Sequence, residues 1–317
     1  MTTTSHNSVC LIVCYFGELP PYVDCVFRSC AGNPDVNWLL FTDDKTDHRL
    51  PPNVRREFTT LAQLRDQFSQ TIGFAVELSS PYKLCDFRPA FGLLFHEYLT
   101  GYDFWGHCDL DQVFGNLRRF LREDVMNTHD RVFTRGHLSL YRNTDTVNEL
   151  FRRQAPGVPD FREVFTDPHN RQFDEAPGIH PILRYHGIPQ YHEDIAVDVV
   201  RPTRWSYTRF EGYEIENFPQ QVFYWHKGRL CQAYRLDEGT ILDREFAYIH
   251  FQKRKLPAPS FDPWQEDGFL VTPTGFVPYN REPLTDADFQ KYNAARLRPW
   301  RELLAKAGGR CRRLLRL

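Results

Sequence analysis

Residues 9–42, VCLIVCYFGELPPYVDCVFRSCAGNPDVNWLLFT, decide the fold. The first eight form an unbroken apolar run, the mark of a strand buried on both faces. Gly17 and Pro20-Pro21 stop it. Residues 22–30 then space their apolar side chains as a helix, which Gly32-Asn33-Pro34 ends. Residues 37–42, NWLLFT, are a second buried strand, closed by Asp43-Asp44. Strand, helix and strand at this spacing make a βαβ unit, and hence a parallel sheet.

Downstream, residues 61–68 and 82–98 read as helices, the second in spite of Pro89, and residues 102–108 as a third strand. Residues 117–122 and 144–153 read as short helices, and 131–142 as strand, glycine turn, strand. Residues 156–202 are rich in Pro, Gly, His and Asp and read as long loops with short helices, which in a compact domain are more often functional than idle. Residues 223–235 and 245–252 read as late strands. FLVT–PTG–FVPY at 269–279 reads as a hairpin, and Thr285 with Asp288 three positions on starts a helix toward Asn293.

The chain's 317 residues are 41% hydrophobic and 25% charged, which excludes a disordered chain, a coiled coil and a collagen-like fibre. A net charge of −2 removes any general attraction to nucleic acid. Aromatics reach 15%, which suits either a Phe-rich core or stacking on flat ligands and sugars. No apolar run reaches the roughly 18 residues of a membrane span, and residues 1–8 lack a signal-peptide pattern. The expected location is therefore cytoplasmic. The eight cysteines are expected to be free thiols, with Cys10 and Cys14 on one strand face and no C-x-x-C pair for zinc.

The chemistry concentrates in residues 82–117, YKLCDFRPAFGLLFHEYLTGYDFWGHCDLDQVFGNL. Here a helix, a glycine turn and a buried aromatic strand run directly into Asp109-Leu110-Asp111. In extended chain the two carboxylates point the same way. Paired carboxylates at the end of a sheet strand make a hard-oxygen site for Mg²⁺ or Mn²⁺, the kind of ion that clamps the two phosphates of a nucleotide.

This segment resembles the nucleotide-sugar glycosyltransferases of the GT-A fold, over roughly residues 8–255. It is closest to bacterial polysaccharide transferases with a K-x-x-D-x-R/K-P helix before a G-Y-D-F-W-G-x-x-D-x-D strand. The resemblance implies a Rossmann-like α/β domain with a mostly parallel central sheet flanked by helices. It implies a UDP-sugar donor, Mn²⁺ or Mg²⁺ at Asp109 and Asp111, and Lys83, Asp86 and Arg88 facing the nucleotide. Tyr15, Phe16 and Gly17 end the first strand where the base would lie, and Thr42 and Asp43 end the second. Tyr15 suits stacking on uracil, and Gly17 lets backbone approach the ligand. By the same resemblance His250, at the end of AYIHFQKRK, is a further metal ligand, with Lys253 on the phosphates.

On the acceptor side, Arg135-Gly136-His137-Leu138-Ser139 resembles the strand flanking the donor sugar. Asp174-Glu175 and Asp194 are the candidates for gripping sugar hydroxyls or for the carboxylate base an inverting enzyme needs. Trp205, Tyr207, Tyr213, Trp225 and His226 suit stacking on a sugar acceptor, or else core packing. The implied acceptor is a glycan or lipid-linked saccharide of surface polysaccharide synthesis.

Three segments result: a catalytic domain over 1–255, a Pro-rich extension over 256–295 with hairpin and helix, and a tail over 296–317. The tail holds eight Lys and Arg against one acid, Glu302. Its Trp300, Leu303, Leu304, Ala307, Cys311, Leu314 and Leu315 recur on one helical face, with Gly308-Gly309 in the middle. It therefore suits an anionic membrane surface, peripheral on the inner face, or a helix docked on the acidic body. Two rival classes remain: a metal-dependent phosphohydrolase or nucleotidyltransferase, and a non-catalytic carbohydrate-binding protein.

Overall fold

The computed structural model describes residues 6–199, 217–236, 239–280 and 284–293. The tail over 296–317 and the ring-bearing Trp205, Tyr207 and Tyr213 lie outside the described residues.

The expected βαβ unit is present: strand β1 (Val9–Tyr15), helix α1 (Val23–Ala31) and strand β2 (Val36–Thr42), with β1 and β2 parallel from Val9–Val36 to Tyr15–Thr42. Alternation along β1 fills two cores. Val9, Leu11 and Val13 face the α1 side with Val23, Val26 and Phe27. Cys10 and Ile12 face the other side, against Leu64, Phe68, Phe87 and Phe91. Burial on both faces is why the run carries no polar residue.

Strand β3 (Val54–Phe58) adds in parallel outside β2, and its sequence pattern hides it, because three of the five residues in VRREF are charged. It is an edge strand, and edges carry charge. Helix α2 (Leu61–Ile72) follows, opened by a Thr60–Gln63 capping box and closed by Gly73 at φ 91°.

The expected long helix over 82–98 is instead a chain of short turns. Its helical pieces are Leu84–Phe87 and Phe91–Leu94, joined by 3₁₀ turns at Pro81–Lys83, Arg88–Ala90 and His96–Tyr98. Pro89 lacks the N–H that a continuous helix needs and crowds the preceding turn. Gly92 then lets the chain press on the sheet: a Cβ there would lie 2.4 Å from Trp105 Nε1.

Strands β4 (Phe104–Cys108), β5 (Gln112–Phe114), β6 (Arg131–Arg135), β7 (Leu138–Arg142), β8 (Gln190–Tyr191) and β9 (Ala196–Asp198) follow. The main sheet has the order β3-β2-β1-β4-β7-β6-β8. The β1–β2, β2–β3, β1–β4 and β6–β8 pairs are parallel, and the two pairs involving β7 are antiparallel. The protein is thus mixed α/β with a mostly parallel central sheet. The chain leaves β1 for β2 on one side and later returns to β4 on the other, so the strand order reverses at β1 and β4, and the carboxyl ends of these two strands are the place where open α/β sheets take ligands.

The single strand expected over 223–235 is a hairpin of β10 (Gln220–His226) and β11 (Arg229–Arg235). Lys227 at φ 47° and Gly228 at φ 84° make its two-residue turn. Strands β12 (Ile241–Phe246), β13 (Tyr248–His250), β14 (Gly268–Thr272) and β15 (Gly275–Pro278) complete the set. The expected hairpin is β14–β15, and the expected helix is Asp286–Tyr292 with its Thr285–Asp288 capping box. Pairing of β14 with β10 joins the 256–295 stretch to the preceding strands in a five-stranded antiparallel sheet, β12-β11-β10-β14-β15. Trp225 is fully buried there, its Nε1 donating to the Phe114 carbonyl at 2.9 Å, so it offers no face to a sugar. The seven described cysteines are free.

Beneath β6, the buried Arg131 donates from Nη2 to Ser139 Oγ and His180 Nε2, each at 3.1 Å. Burial, then Arg131, Arg184, Arg135 and His192, push His180 down to about 3. A histidine held neutral in the fold contributes stability that is present above its unfolded pKa near 6.5 and is lost as pH falls toward 3. Asp174, raised to about 6, acts oppositely on acidification, so the variant difference is the informative quantity. His180→Gln should flatten the acid loss by up to about 1.4 kcal/mol per pH unit within that window. Urea midpoints of both proteins from pH 7 to pH 4 measure it, and parallel pH curves would refute it.

Candidate active site

A three-stranded sheet, β5-β13-β9, assembles the site. Its register sets Gln112, His250 and Asp198 side by side. Asp109-Leu110-Asp111 bridges β4 to β5, with Leu110 turned into the core and both aspartates outward, as extended alternation requires.

Each aspartate has one oxygen engaged. Asp109 Oδ1 accepts from Arg88 Nη2. Asp111 Oδ2 accepts the Lys253 N–H at 2.7 Å. The remaining oxygens converge on one nitrogen: His250 Nε2 lies 3.3 Å from Asp111 Oδ1 and 3.6 Å from Asp109 Oδ2. Two carboxylates and an imidazole thus offer ligand atoms within 4.8 Å of one another. This donor set fits Mn²⁺ or Mg²⁺, which take carboxylate oxygens and leave coordination positions for other ligands; imidazole nitrogen adds to the fit for Mn²⁺.

The electrostatics agree with a cation site. Burial opposes charge on His250, but Asp111, Asp198 and Asp109 outweigh it and raise its pKa. Burial also opposes charge on Asp111, and His250 with the Lys253 N–H overcomes it and holds the carboxyl low. Both shifts share one cause, the attraction between the imidazole and the negative charge that Asp109, Asp111 and Asp198 gather around it.

A second convergent group, His137, Asp198 and His250, shares His250. Its two imidazoles stack at 4.4 Å and 26°, so their in-plane lone pairs run side by side rather than meeting at a point. His137 Nδ1 pairs with the Tyr248 hydroxyl at 3.0 Å. Burial and the neighbouring His250 push His137 down to about 3.

Tyr15 stands at this cluster, where burial and the Asp111 charge raise its phenol pKa. Gly17, at φ 93°, donates its N–H to Asp43 Oδ1 at 2.7 Å, so Asp43 clamps the loop after β1. Phe16 packs toward the core on the α2 side. Lys253 is exposed, its Nζ 4.1 Å from the Tyr82 ring centroid. Gln252 and Lys253 both hold positive φ, 47° and 60°, a backbone that aims the Lys253 N–H at Asp111.

Three motif residues are placed differently from expectation. Lys83 and Asp86 are fully buried and face each other at 2.7 Å, so neither reaches a nucleotide in this arrangement. Arg88 is spent inside the protein: Nη1 donates to the Gly136 carbonyl at 2.7 Å and to Asp174 Oδ2 at 3.0 Å, while Nη2 holds Asp109. It fixes the Asp109 carboxylate instead of meeting phosphate. Asp174 is likewise buried under Arg88, and burial raises it to about 6 against that cation. A buried, paired carboxylate is poorly placed to deprotonate an acceptor. Glu175 is exposed and lies over Gly136, where a Cβ would sit 2.3 Å from Oε1. Arg88 bridges the Gly136 carbonyl and Asp109, so Glu175 sits one side chain away from the aspartate pair. Asp194 pairs with Arg135 at 3.0 Å and His192 at 3.2 Å.

Asp198 was missed. It lies in a stretch read as loop, yet it is a lone acid in the apolar run IAVDVV, a pattern that asks for a buried partner.

Fold and cluster together define an α/β protein with a carboxylate–histidine site at the carboxyl edge of its sheet. The chain belongs to a family of unknown function, DUF6625, whose model matches residues 11–280. No curated protein matches it. Among solved structures it is similar to mouse xyloside xylosyltransferase 1 in its apo form, at 11% identity and TM-score 0.37, over 62% of this chain and 88% of that one. It is similar to the galactosyltransferase LgtC in complex with donor and acceptor sugar analogues, at 11% identity and TM-score 0.36, over 60% and 75%. A third is the apo structure of the bifunctional glycosyltransferase WbbM, at 10% identity and TM-score 0.35, over 64% and 42%.

Proposed function

We propose that this protein is a divalent-cation-dependent glycosyltransferase. It takes a sugar from a nucleoside-diphosphate donor, UDP-linked, and passes it to a hydroxyl of a glycan or lipid-linked saccharide. The convergence of Asp109, Asp111 and His250 beside the carboxyl end of β4 carries this reading. Mn²⁺ or Mg²⁺ held there would offset the charge that develops on a leaving diphosphate.

The chain's own groups do the rest. Tyr15 and the backbone at Gly17, at the carboxyl end of β1, would meet the base. Lys253, exposed beside Asp111, offers an ammonium to phosphate oxygens. Arg88 keeps Asp109 Oδ2 aimed at the cation position by holding Oδ1. Glu175 is the acid of the three candidates with an exposed carboxylate, and so the one suited to take the acceptor hydroxyl's proton.

Thermal shift with UDP, GDP, ADP and UMP, each with and without Mn²⁺, tests the reading. UDP with Mn²⁺ should stabilise most, by about 2.7 kcal/mol at a hundredfold excess over Kd, and UMP should give far less. Equal shifts with and without the cation would overturn it.

A further inference from the structure

His250 has two ring nitrogens, and they meet two different environments. Nε2 faces Asp111 Oδ1 at 3.3 Å and Asp109 Oδ2 at 3.6 Å, the oxygens that Lys253 and Arg88 do not take. Nδ1 lies 2.9 Å from Asp198 Oδ1. An ionised carboxylate has no hydrogen to give, so this contact places the imidazole hydrogen on Nδ1. In a neutral ring the lone pair is then on Nε2.

We propose that Asp198 is a positioning residue for the cation site: it accepts the Nδ1 hydrogen of His250 and thereby presents Nε2 to the ion held with Asp109 and Asp111. The inference rests on the metal-dependent reading above, and deepens it by assigning the group that sets the third ligand.

Asp198 is itself held on several sides. Its Oδ1 also accepts from Gln252 Nε2 at 2.9 Å, and its Oδ2 lies 3.7 Å from His137 Nε2. The pairing of β9 with β13 sets His250 opposite Asp198 in parallel register. His137 stacks on the His250 ring and limits its tilt. Without the acceptor, the ring is free to turn or to carry its hydrogen on Nε2, where a hydrogen excludes a cation. Outer partners of metal-bound histidines act in this way, and their loss typically weakens metal affinity by about 10- to 100-fold.

The test uses full-length protein and Mn²⁺ alone, titrated by electron paramagnetic resonance, with the ¹⁴N modulation of bound Mn²⁺ reporting the imidazole. Asp198→Leu and Asp198→Ala both remove the acceptor, and whichever keeps the wild-type far-UV spectrum carries the result. The expected outcome is an approximately 10- to 100-fold rise in Kd with loss of the ¹⁴N modulation. Asp198→Asn keeps an acceptor oxygen and should retain the modulation, which a purely structural role of the charge would not predict. Wild-type affinity and modulation in the acceptor-less variant would overturn this inference alone. Failure of the wild-type protein to bind Mn²⁺ would overturn it together with the metal-dependent reading.

Discussion

Asp111→Asn should lower cation-dependent transfer by about 10³-fold while leaving the fold intact. The amide keeps the shape of the side chain and its oxygen can still accept the Lys253 N–H. What disappears is half of the carboxylate charge that, with His250, converges on the cation position. On the proposed function, loss of the ion would remove several kcal/mol of charge stabilisation from the departing diphosphate, and about 4 kcal/mol corresponds to the stated factor. Donor hydrolysis or transfer with saturating Mn²⁺ measures the effect, and the shift in melting temperature on adding UDP with Mn²⁺ should vanish alongside it. Turnover near wild type at saturating Mn²⁺ would refute the assignment.

The sequence made some of this legible and hid the rest for definable reasons. VCLIVCYF and the WLLF of NWLLFT announce the parallel sheet because both faces of those strands are buried, so their interiors are apolar. The DLD pair was legible because a strand with a known end fixes where the next two alternating side chains go. Association of Asp198 with His250 was not, because it depends on strand register across 52 residues of chain. The three-stranded sheet that creates it uses strands of only three residues, too short to show a period of two. Lys83, Asp86 and Arg88 misled for a different reason. Charged residues are almost never fully buried unless paired, so charge in a sequence reads as contact with water or ligand. Here pairing is what burial uses: Lys83 with Asp86, and Arg88 with Asp109 and Asp174.

That buried pair yields the largest stability effect expected in the protein. Lys83 Nζ donates to Asp86 Oδ2 and to the Val164 carbonyl, each at 2.7 Å, and to the His169 carbonyl at 2.9 Å. Asp86 also accepts the Arg171 and Phe173 N–H groups, each at 2.9 Å. The pair therefore ties the segment around 164–173 to the motif turn, and the next two residues, Asp174 and Glu175, reach Arg88 and Gly136. Asp86→Ala leaves the buried Lys83 ammonium without its counter-charge, held only by the Val164 and His169 carbonyls, and strips the Arg171 and Phe173 N–H groups of their acceptor. Breaking a buried pair in this way costs about 3–5 kcal/mol, a large share of a domain's net stability. The joint replacement Lys83→Met with Asp86→Leu removes the stranded charge and should recover part of the loss. Recovery stays incomplete because the Arg171 and Phe173 N–H groups still lack an acceptor. Urea unfolding of the two variants and the wild type gives the comparison. Wild-type unfolding of Asp86→Ala combined with loss of the UDP response would contradict the buried-network account. It would return both residues to the nucleotide, where the K-x-x-D motif alone had placed them.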